Sequence, residues 1–373
     1  MSFYPPLEKL VPPHIRQFEP YIPSKPDAEL CKLYGCSHLF RMNNNENPLG
    51  PPAGARRALE NFDPASASIY PSGDAWYLRQ ALGKHFSLPP ECFIVGNGAN
   101  EVISFVISAF CEKGDHIITA DRTFAVYEWV ATFSGFQARV LPLAEEAFDD
   151  QAMLRHIDER TKVIFLCNPN NPTGTYWNRS KLVSFLEALQ GRQILVVDES
   201  YGEFVEREDF PNTLELLPRY PNLVVFRTFS KMYGLAGLRI GYLGGDPGVV
   251  DMIRRASVLY SINAPAQLAA EAALQDTDHI RATREICATA REILRSGASR
   301  LGLPACLGEG NFGILKLPCS DTWLYRNLMK RGYMIRSLTG FRMPGHIRVS
   351  FHMPEVMQGF ITALEEALAT RSS

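Results

Sequence analysis

The chain contains no CxxC pair, no internal repeat and no low-complexity linker, and no stretch of about 18 apolar residues that would span a bilayer. Its eight cysteines, at 31, 36, 92, 111, 167, 287, 306 and 319, are scattered. That spacing points to neither a zinc site nor a disulfide framework, and they read as reduced thiols. There is no excess of either charge: the formal net charge is -2 over 373 residues, which gives no electrostatic case for nucleic acid or an anionic membrane. The opening "MSFYPPLEKLVPPHIRQF" lacks the basic start and apolar run of a signal peptide. A cytoplasmic enzyme is the expectation.

The length allows a large and a small domain with a substantial core and no need of metal staples. The first forty residues, rich in proline and aromatics, read as an arm laid over a surface. From about residue 75, helical patterns ("WYLRQALGKHF", "NEVISFVISAFC") alternate with short apolar runs: "CFIVGN", "HIITA", "QARVLPL", "KVIFLCN", "QILVVDES", "NLVVFRTFS" and "RIGYLGG". Continuously apolar strands alternating with helices argue for an α/β fold with a largely parallel sheet covered on both faces. Functional residues then belong at the strand ends, in the crevice outside the sheet. After about residue 245 the chain turns helical, and "GNFGILKLP", "YMIRSL" and "HIRVSF" read as short strands of a smaller α+β unit. The expected division is an arm over 1–42, a large domain over 43–260 and a small domain over 261–373.

Four strand ends carry chemistry. "VVDES" places Asp198 at the mouth of a buried strand, where a carboxylate is costly unless paired. An isolated aspartate there is most often a helix cap or a partner of an arginine. Lys231 follows the apolar "LVVF"; a desolvated lysine amine is a nucleophile for carbonyl carbon. Thr228, Ser230 and Arg239 surround it with two hydroxyls and a guanidinium, a set suited to phosphate. In "GNGANE", Gly96 and Gly98 allow a tight turn before a helix whose first N–H groups, near Asn100, favour an anion. By itself that motif is weak and lacks the GxGxxG spacing. "CNPNNPTG" holds Asn171 between two prolines, where its amide can meet a ligand oxygen, although Asn, Pro and Gly also make plain turns. One ligand with a carbonyl for lysine, a basic ring nitrogen for a carboxylate, a ring oxygen for an amide and a phosphate satisfies all of these. Pyridoxal phosphate has the four groups.

In order, "NENPLG", "IYPSGDAWYLRQAL", "GNGANEVI", "TFAVY", "NPNNPTG", "VDESYGEF", "TFSKMYGLAGLRIGY", "MIRSL" and "IRVS" resemble the signposts of the fold-type I pyridoxal-phosphate enzymes, the class I and II aminotransferases. Within that group the chain is most similar to the histidinol-phosphate aminotransferase branch. The resemblance runs from residue 43 to residue 351 and implies roles position by position. Lys231 is implied as the Schiff-base lysine and proton carrier, Asp198 as the partner of the pyridinium nitrogen, and Asn171 and Tyr201 as partners of the ring oxygen. Phe124 is implied to stack on the ring. Ala99, Asn100, Thr228, Ser230 and Arg239 are implied to hold the phosphate, and Tyr70 to reach it from the second subunit of a homodimer. Arg348 is implied to bind a substrate anion with help from Arg336, and Asn47, in "NENPLG", to contact the substrate. The substrates implied are a small amino donor, histidinol phosphate or an amino acid, and a 2-oxo acid such as 2-oxoglutarate.

The sequence also departs from the branch. "IRVSFHMPE" replaces a continuation closer to "IGTPEEN", "TGFRMPGH" adds Arg342, and "YPSG" replaces the more usual "YPDG". His352 reads as structural, because Lys231 already supplies acid–base chemistry. The departures bear on the substrate: an aromatic or other amino-acid aminotransferase, a phosphothreonine-type decarboxylase and a specialised elimination or cyclisation enzyme share the scaffold. A binding module without turnover is disfavoured, since the forty residues before the first motif are too few for a DNA-binding domain of ordinary size.

Overall fold

The computed structural model describes residues 6–16, 18–19 and 23–370. The remainder of the expected N-terminal arm lies outside the described residues. The arm's described part makes short helical turns at Leu7–Leu10 and Pro13–Arg16, and the Phe18 ring packs edge-on against Phe133, 6.0 Å between centroids.

Seven strands form the main sheet: β1 Phe93–Gly96, β2 His116–Ala120, β3 Gln137–Leu141, β4 Thr161–Cys167, β5 Ile194–Asp198, β6 Leu223–Thr228 and β7 Gly241–Gly245. Their order is β1-β7-β6-β5-β4-β2-β3, and only β7 runs against its neighbours. The apolar runs are continuous because helices cover both faces; Val163, Ile164, Phe165, Leu166, Leu195, Val197 and Leu223 to Val225 are fully buried. Register then sets the site. Asp198 lies beside Cys167 and Phe226, while Gly96 and Thr228 both lie opposite Gly241. The segments leaving β1, β4, β5 and β6, and the one entering β7, therefore gather at one edge.

A second sheet, fully antiparallel, comprises β8 Ala305–Cys306, β9 Phe312–Lys316, β10 Arg336–Ser337 and β11 His346–Ser350 in the order β10-β11-β9-β8. The helix Thr277–Arg300 reaches it and packs against the C-terminal helix Pro354–Ala369. The run "YMIRSL", expected as one strand, divides. Tyr333–Met334 pairs in parallel with Phe40–Arg41, and after buried Ile335 the chain moves to β11. The helix Ala264–Ala273 packs on Ala53–Glu60 and Trp76–Phe86. Among the described residues no helix is long and apolar enough to cross a membrane, and no cluster of metal-binding side chains occurs. Among the described residues the cysteines form no disulfide.

Candidate active site

Asp198 ends β5 almost fully buried. Its Oδ2 accepts from the Tyr127 hydroxyl at 2.5 Å, and its Oδ1 accepts from the Ser200 hydroxyl at 2.6 Å and the Ser200 amide at 2.9 Å. Burial raises the carboxyl above its ordinary value, while the Ser200 and Tyr127 bonds and the Lys231 charge oppose the rise. Among the described residues no basic side chain lies within ion-pair distance of it. A buried carboxylate held by three donors and lacking a cation is prepared for one.

Lys231 follows β6 in a bend, half-buried, and its Nζ donates to Asn44 O at 2.6 Å. Removal from water, with the positive charges of Arg348 and Arg239 adding to it and Glu46 opposing, lowers the amine to about 8. At pH 7 about one molecule in ten then carries the neutral nucleophile.

The phosphate-binding candidates converge. Gly98, at φ 75°, precedes the helix Ala99–Phe110, and a Cβ on it would lie 2.4 Å from Nη2 of Arg239. Only glycine lets that guanidinium sit against the helix N-terminus. The Thr228 hydroxyl accepts from the Ser230 amide at 3.1 Å, at the same edge. Ala99 and Asn100 occupy the first helical turn and Asn100 is exposed, so donor N–H groups, two hydroxyls and a cation form an anion cup.

Phe124 packs edge-on against Tyr127, 5.6 Å between centroids, and Tyr127 stacks on Phe165 at 4.8 Å. Phe124 is thus one ring away from the carboxylate. Tyr201 is buried, its hydroxyl accepts from Asn45 Nδ2 at 2.8 Å, and burial pushes its pKa up to about 12. Asn171 accepts through Oδ1 from Arg348 Nη1, leaving its amide hydrogens to be donated. Arg348, buried on β11, also donates through Nη2 to Asn43 O, and its buried Nε has no hydrogen-bond partner among the described residues. Burial lowers Arg348 to about 10, with Arg336 adding to the lowering and Tyr201 opposing.

Arg336 on β10 lies directly opposite Arg348, and the two guanidiniums approach one Phe341 ring at 5.6 and 5.8 Å. Among the described residues neither has a carboxylate within ion-pair reach. Two facing like charges are destabilising unless an anion joins them.

Other candidates fall elsewhere. Asn47 was expected to touch the substrate, yet its amide donates to Met232 O at 2.8 Å and Thr283 Oγ1 at 3.0 Å, and its carbonyl accepts from Leu49 N at 3.0 Å. Both ends of the side chain are occupied by the protein. Tyr70 is 82% exposed and packs on Tyr260, 5.0 Å between centroids. Arg342 makes a two-bond ion pair with Glu128 at 2.9 and 3.0 Å. His352 Nδ1 accepts from Met353 N at 2.8 Å, a local structural bond. Sequence reasoning passed over Tyr127, Ser200 and Asn45, although "TFAVY", "VDES" and "NNNENP" contain them.

A lysine kept partly neutral, a buried carboxylate awaiting a cation and an anion cup, all at the C-terminal edge of one mostly parallel sheet, match what a pyridoxal-phosphate enzyme of fold type I requires. The residues fit that cofactor on charge and on space: among the described residues Asp198 has no ion-pair partner, and Gly98 yields its Cβ volume to Arg239. The chain belongs to the aminotransferase class I and II family, whose profile matches residues 37–364. It is 35% identical over 362 residues to histidinol-phosphate aminotransferase 2 of Pseudomonas fluorescens, covering 96% of this chain and 98% of that one. It superimposes on the histidinol-phosphate aminotransferase of Sinorhizobium meliloti, solved with pyridoxal-5'-phosphate, with a TM-score of 0.86 at 26% identity, over 96% and 97% of the two chains. The L-threonine-O-3-phosphate decarboxylase of Porphyromonas gingivalis, with a TM-score of 0.78 at 24% identity over 89% of this chain and 100% of that one, shares the fold. The α/β fold and the aminotransferase reading of the sequence both stand, and the chain is a pyridoxal-phosphate-dependent aminotransferase similar to the histidinol-phosphate enzymes.

Proposed function

We propose that the chain moves an amino group from a phosphate-bearing donor, histidinol phosphate, to a 2-oxo acid such as 2-oxoglutarate, and does so as a cytoplasmic homodimer. The observation that carries the substrate reading is the Arg336–Arg348 pair, two cations facing one another with no carboxylate in ion-pair reach of either among the described residues. A donor phosphate and an acceptor carboxylate can use the same place in turn.

When bound, pyridoxal phosphate supplies an electron-withdrawing ring that lets a proton leave the amine-bearing carbon of the donor. Lys231 Nζ would hold the cofactor through its aldehyde carbon, and its amine, lowered by burial, is the group that would accept that proton. Asp198, braced by Tyr127 and Ser200, would keep a proton on the ring nitrogen. Asn171 Nδ2 and the Tyr201 hydroxyl would hold the ring oxygen, Phe124 would cover the ring, and Ala99, Asn100, Thr228, Ser230 and Arg239 would hold the phosphate.

The dimer rests on an exposed apolar surface made by Ile69, Tyr70, Trp76, Tyr77, Leu259 and Tyr260, each at least half exposed. Asn97 Nδ2 donates to Ser261 O at 3.2 Å, which ties this surface to the turn of the anion cup. A second copy seated there brings Tyr70 to its neighbour's phosphate.

Mixing the loaded enzyme with candidate donors and following the visible absorbance of the cofactor tests the reading. Histidinol phosphate should convert the spectrum to that of the amine form, and 2-oxoglutarate should restore it. Conversion by aromatic amino acids and not by histidinol phosphate would reject the proposed donor, and release of CO2 from phosphothreonine would point to the decarboxylase.

A further inference from the structure

The segment 43–50 meets the catalytic residues at successive positions. Asn43 O accepts from Arg348, Asn44 O accepts from Lys231 Nζ, and Asn45 donates to Tyr201. Asn47 turns the other way, to the backbone behind the lysine. Its Nδ2 donates to Met232 O at 2.8 Å, and His279 Nε2 lies 3.1 Å from the same oxygen. A carbonyl has no proton to give, so Nε2 carries the hydrogen and Met232 O receives two donors, one for each lone pair. Burial lowers the His279 pKa while the bond to Met232 O opposes the lowering, and Nε2 carries a hydrogen to donate in either protonation state.

The clamp is itself held. Thr283, one turn along the helix Thr277–Arg300 from His279, accepts from Asn47 Nδ2 at 3.0 Å, and the His279 amide is capped by Asp276 at 3.0 Å. On the far side of Met232 the chain turns at Gly234, φ 61°, whose missing Cβ would lie 2.2 Å from Gly50 O. The Gly234 amide closes the turn onto Lys231 O at 3.2 Å. The peptide after Lys231 therefore has little freedom, although it lies in a bend and the side chain it carries is long.

We infer that Asn47 and His279 are positioning residues for Lys231: a double donor clamp on the Met232 carbonyl fixes the backbone from which the amine reaches the substrate. A misplacement of about 1 Å at a reacting group costs on the order of a hundredfold in rate, so the backbone beneath a flexible lysine matters. The helix that supplies His279 also packs against the C-terminal helix and β9, linking the lysine's seat to the sheet that bears Arg348. The inference rests on the reading of Lys231 as the proton carrier, but its first test does not require turnover.

His279→Leu removes one donor, Asn47→Ala removes the other, and His279→Gln restores an amide donor. In the protein without cofactor, amide hydrogen exchange at Tyr233 and Gly234 should quicken about tenfold in the first two variants and return close to the parent rate in the third. In the loaded enzyme kcat should fall about tenfold while KM for the donor changes less than about twofold, because lysine acts in the chemical step. Unchanged local exchange in both His279→Leu and Asn47→Ala overturns the clamp, whatever reaction the enzyme performs. Faster exchange across the whole protein with kcat preserved also overturns it, since that is loss of fold stability alone. Failure of every amine donor, with the local exchange result intact, would reject the proposed reaction and leave the clamp standing.

Discussion

Arg336 and Arg348 stand opposite one another on antiparallel strands β10 and β11 and share the ring of Phe341. Arg348 is pinned by Asn171 and Asn43 and, among the described residues, keeps a buried Nε without a hydrogen-bond partner, whereas Arg336 is half-buried and packs on the Phe341 ring. The pair is asymmetric, and so should be its variants. Arg348→Ala should raise KM for both donor and 2-oxo acid about a hundredfold, the scale of removing a buried hydrogen-bonded charge. Arg336→Ala should raise KM for histidinol phosphate about tenfold and affect the 2-oxo acid less, because a phosphate has oxygens for two guanidiniums. Half-reaction kinetics with each substrate separately measure the difference.

Asp198 is oriented by three donors, and the shortest comes from Tyr127. Tyr127→Phe keeps the stack on Phe165 and deletes only the hydroxyl. The expected result is a kcat about tenfold lower with KM nearly unchanged, the effect of one hydrogen bond to a charged group. Asp198→Ala should lose far more, since on the proposed role the ring nitrogen would then have no partner. Steady-state rates, with absorbance of the bound cofactor followed against pH, distinguish a tilted carboxylate from an absent one.

The lowered amine of Lys231 has a sign that can be checked without cofactor. Its folded value, about 8, lies below the 10.5 of a free lysine, so protonation disfavours the folded state. The stability this group withholds is recovered as pH rises from about 8 towards 10.5. Lys231→Met should therefore be more stable than the parent at pH 7, and the gap should narrow towards pH 10. Amine-selective labelling of the unloaded protein, with Lys231 quantified by mass spectrometry, should reach half its maximal rate near pH 8.

Much of this was legible because strand ends are marked locally. "VVDES", "CNPNNPTG" and "TFSK" each combine a continuous apolar run with an abrupt polar residue, and parallel strands deliver such ends to one edge. Tyr127 was not legible as the partner of Asp198. The two lie 71 apart and meet only because a helix after β2 crosses the sheet edge at the height where β5 ends. The facing of Arg336 and Arg348 depends on antiparallel register, and a one-residue slip would send one side chain to the other face of the sheet. The division of "YMIRSL" at Ile335 was hidden for a related reason: an apolar run gives no sign that its two halves pair with different partners. The bonds of the Asn47 side chain to Met232 O and Thr283 Oγ1 were not legible, because its partners lie 185 and 236 residues away.

Tyr70 gives the dimer a test that separates action across subunits from action within one chain. It is 82% exposed, packs on Tyr260, and makes no contact with Lys231 or Arg239 of its own chain among the interactions of the described residues. Take two variants, Tyr70→Ala and Lys231→Ala, each of low activity as a homodimer, and let their subunits exchange. If Tyr70 serves the neighbouring subunit, the mixed dimer has one site with both residues intact, formed by Lys231 of the first variant and Tyr70 of the second, and activity returns. If Tyr70 serves its own chain, every site in the mixture still lacks one of the two, and activity stays at the average of the separate preparations. Activity measured before and after mixing, with sedimentation to confirm subunit exchange, decides between them. The expected outcome is recovery towards about a quarter of the parental rate per subunit, because random exchange makes half the dimers mixed and each mixed dimer has one competent site.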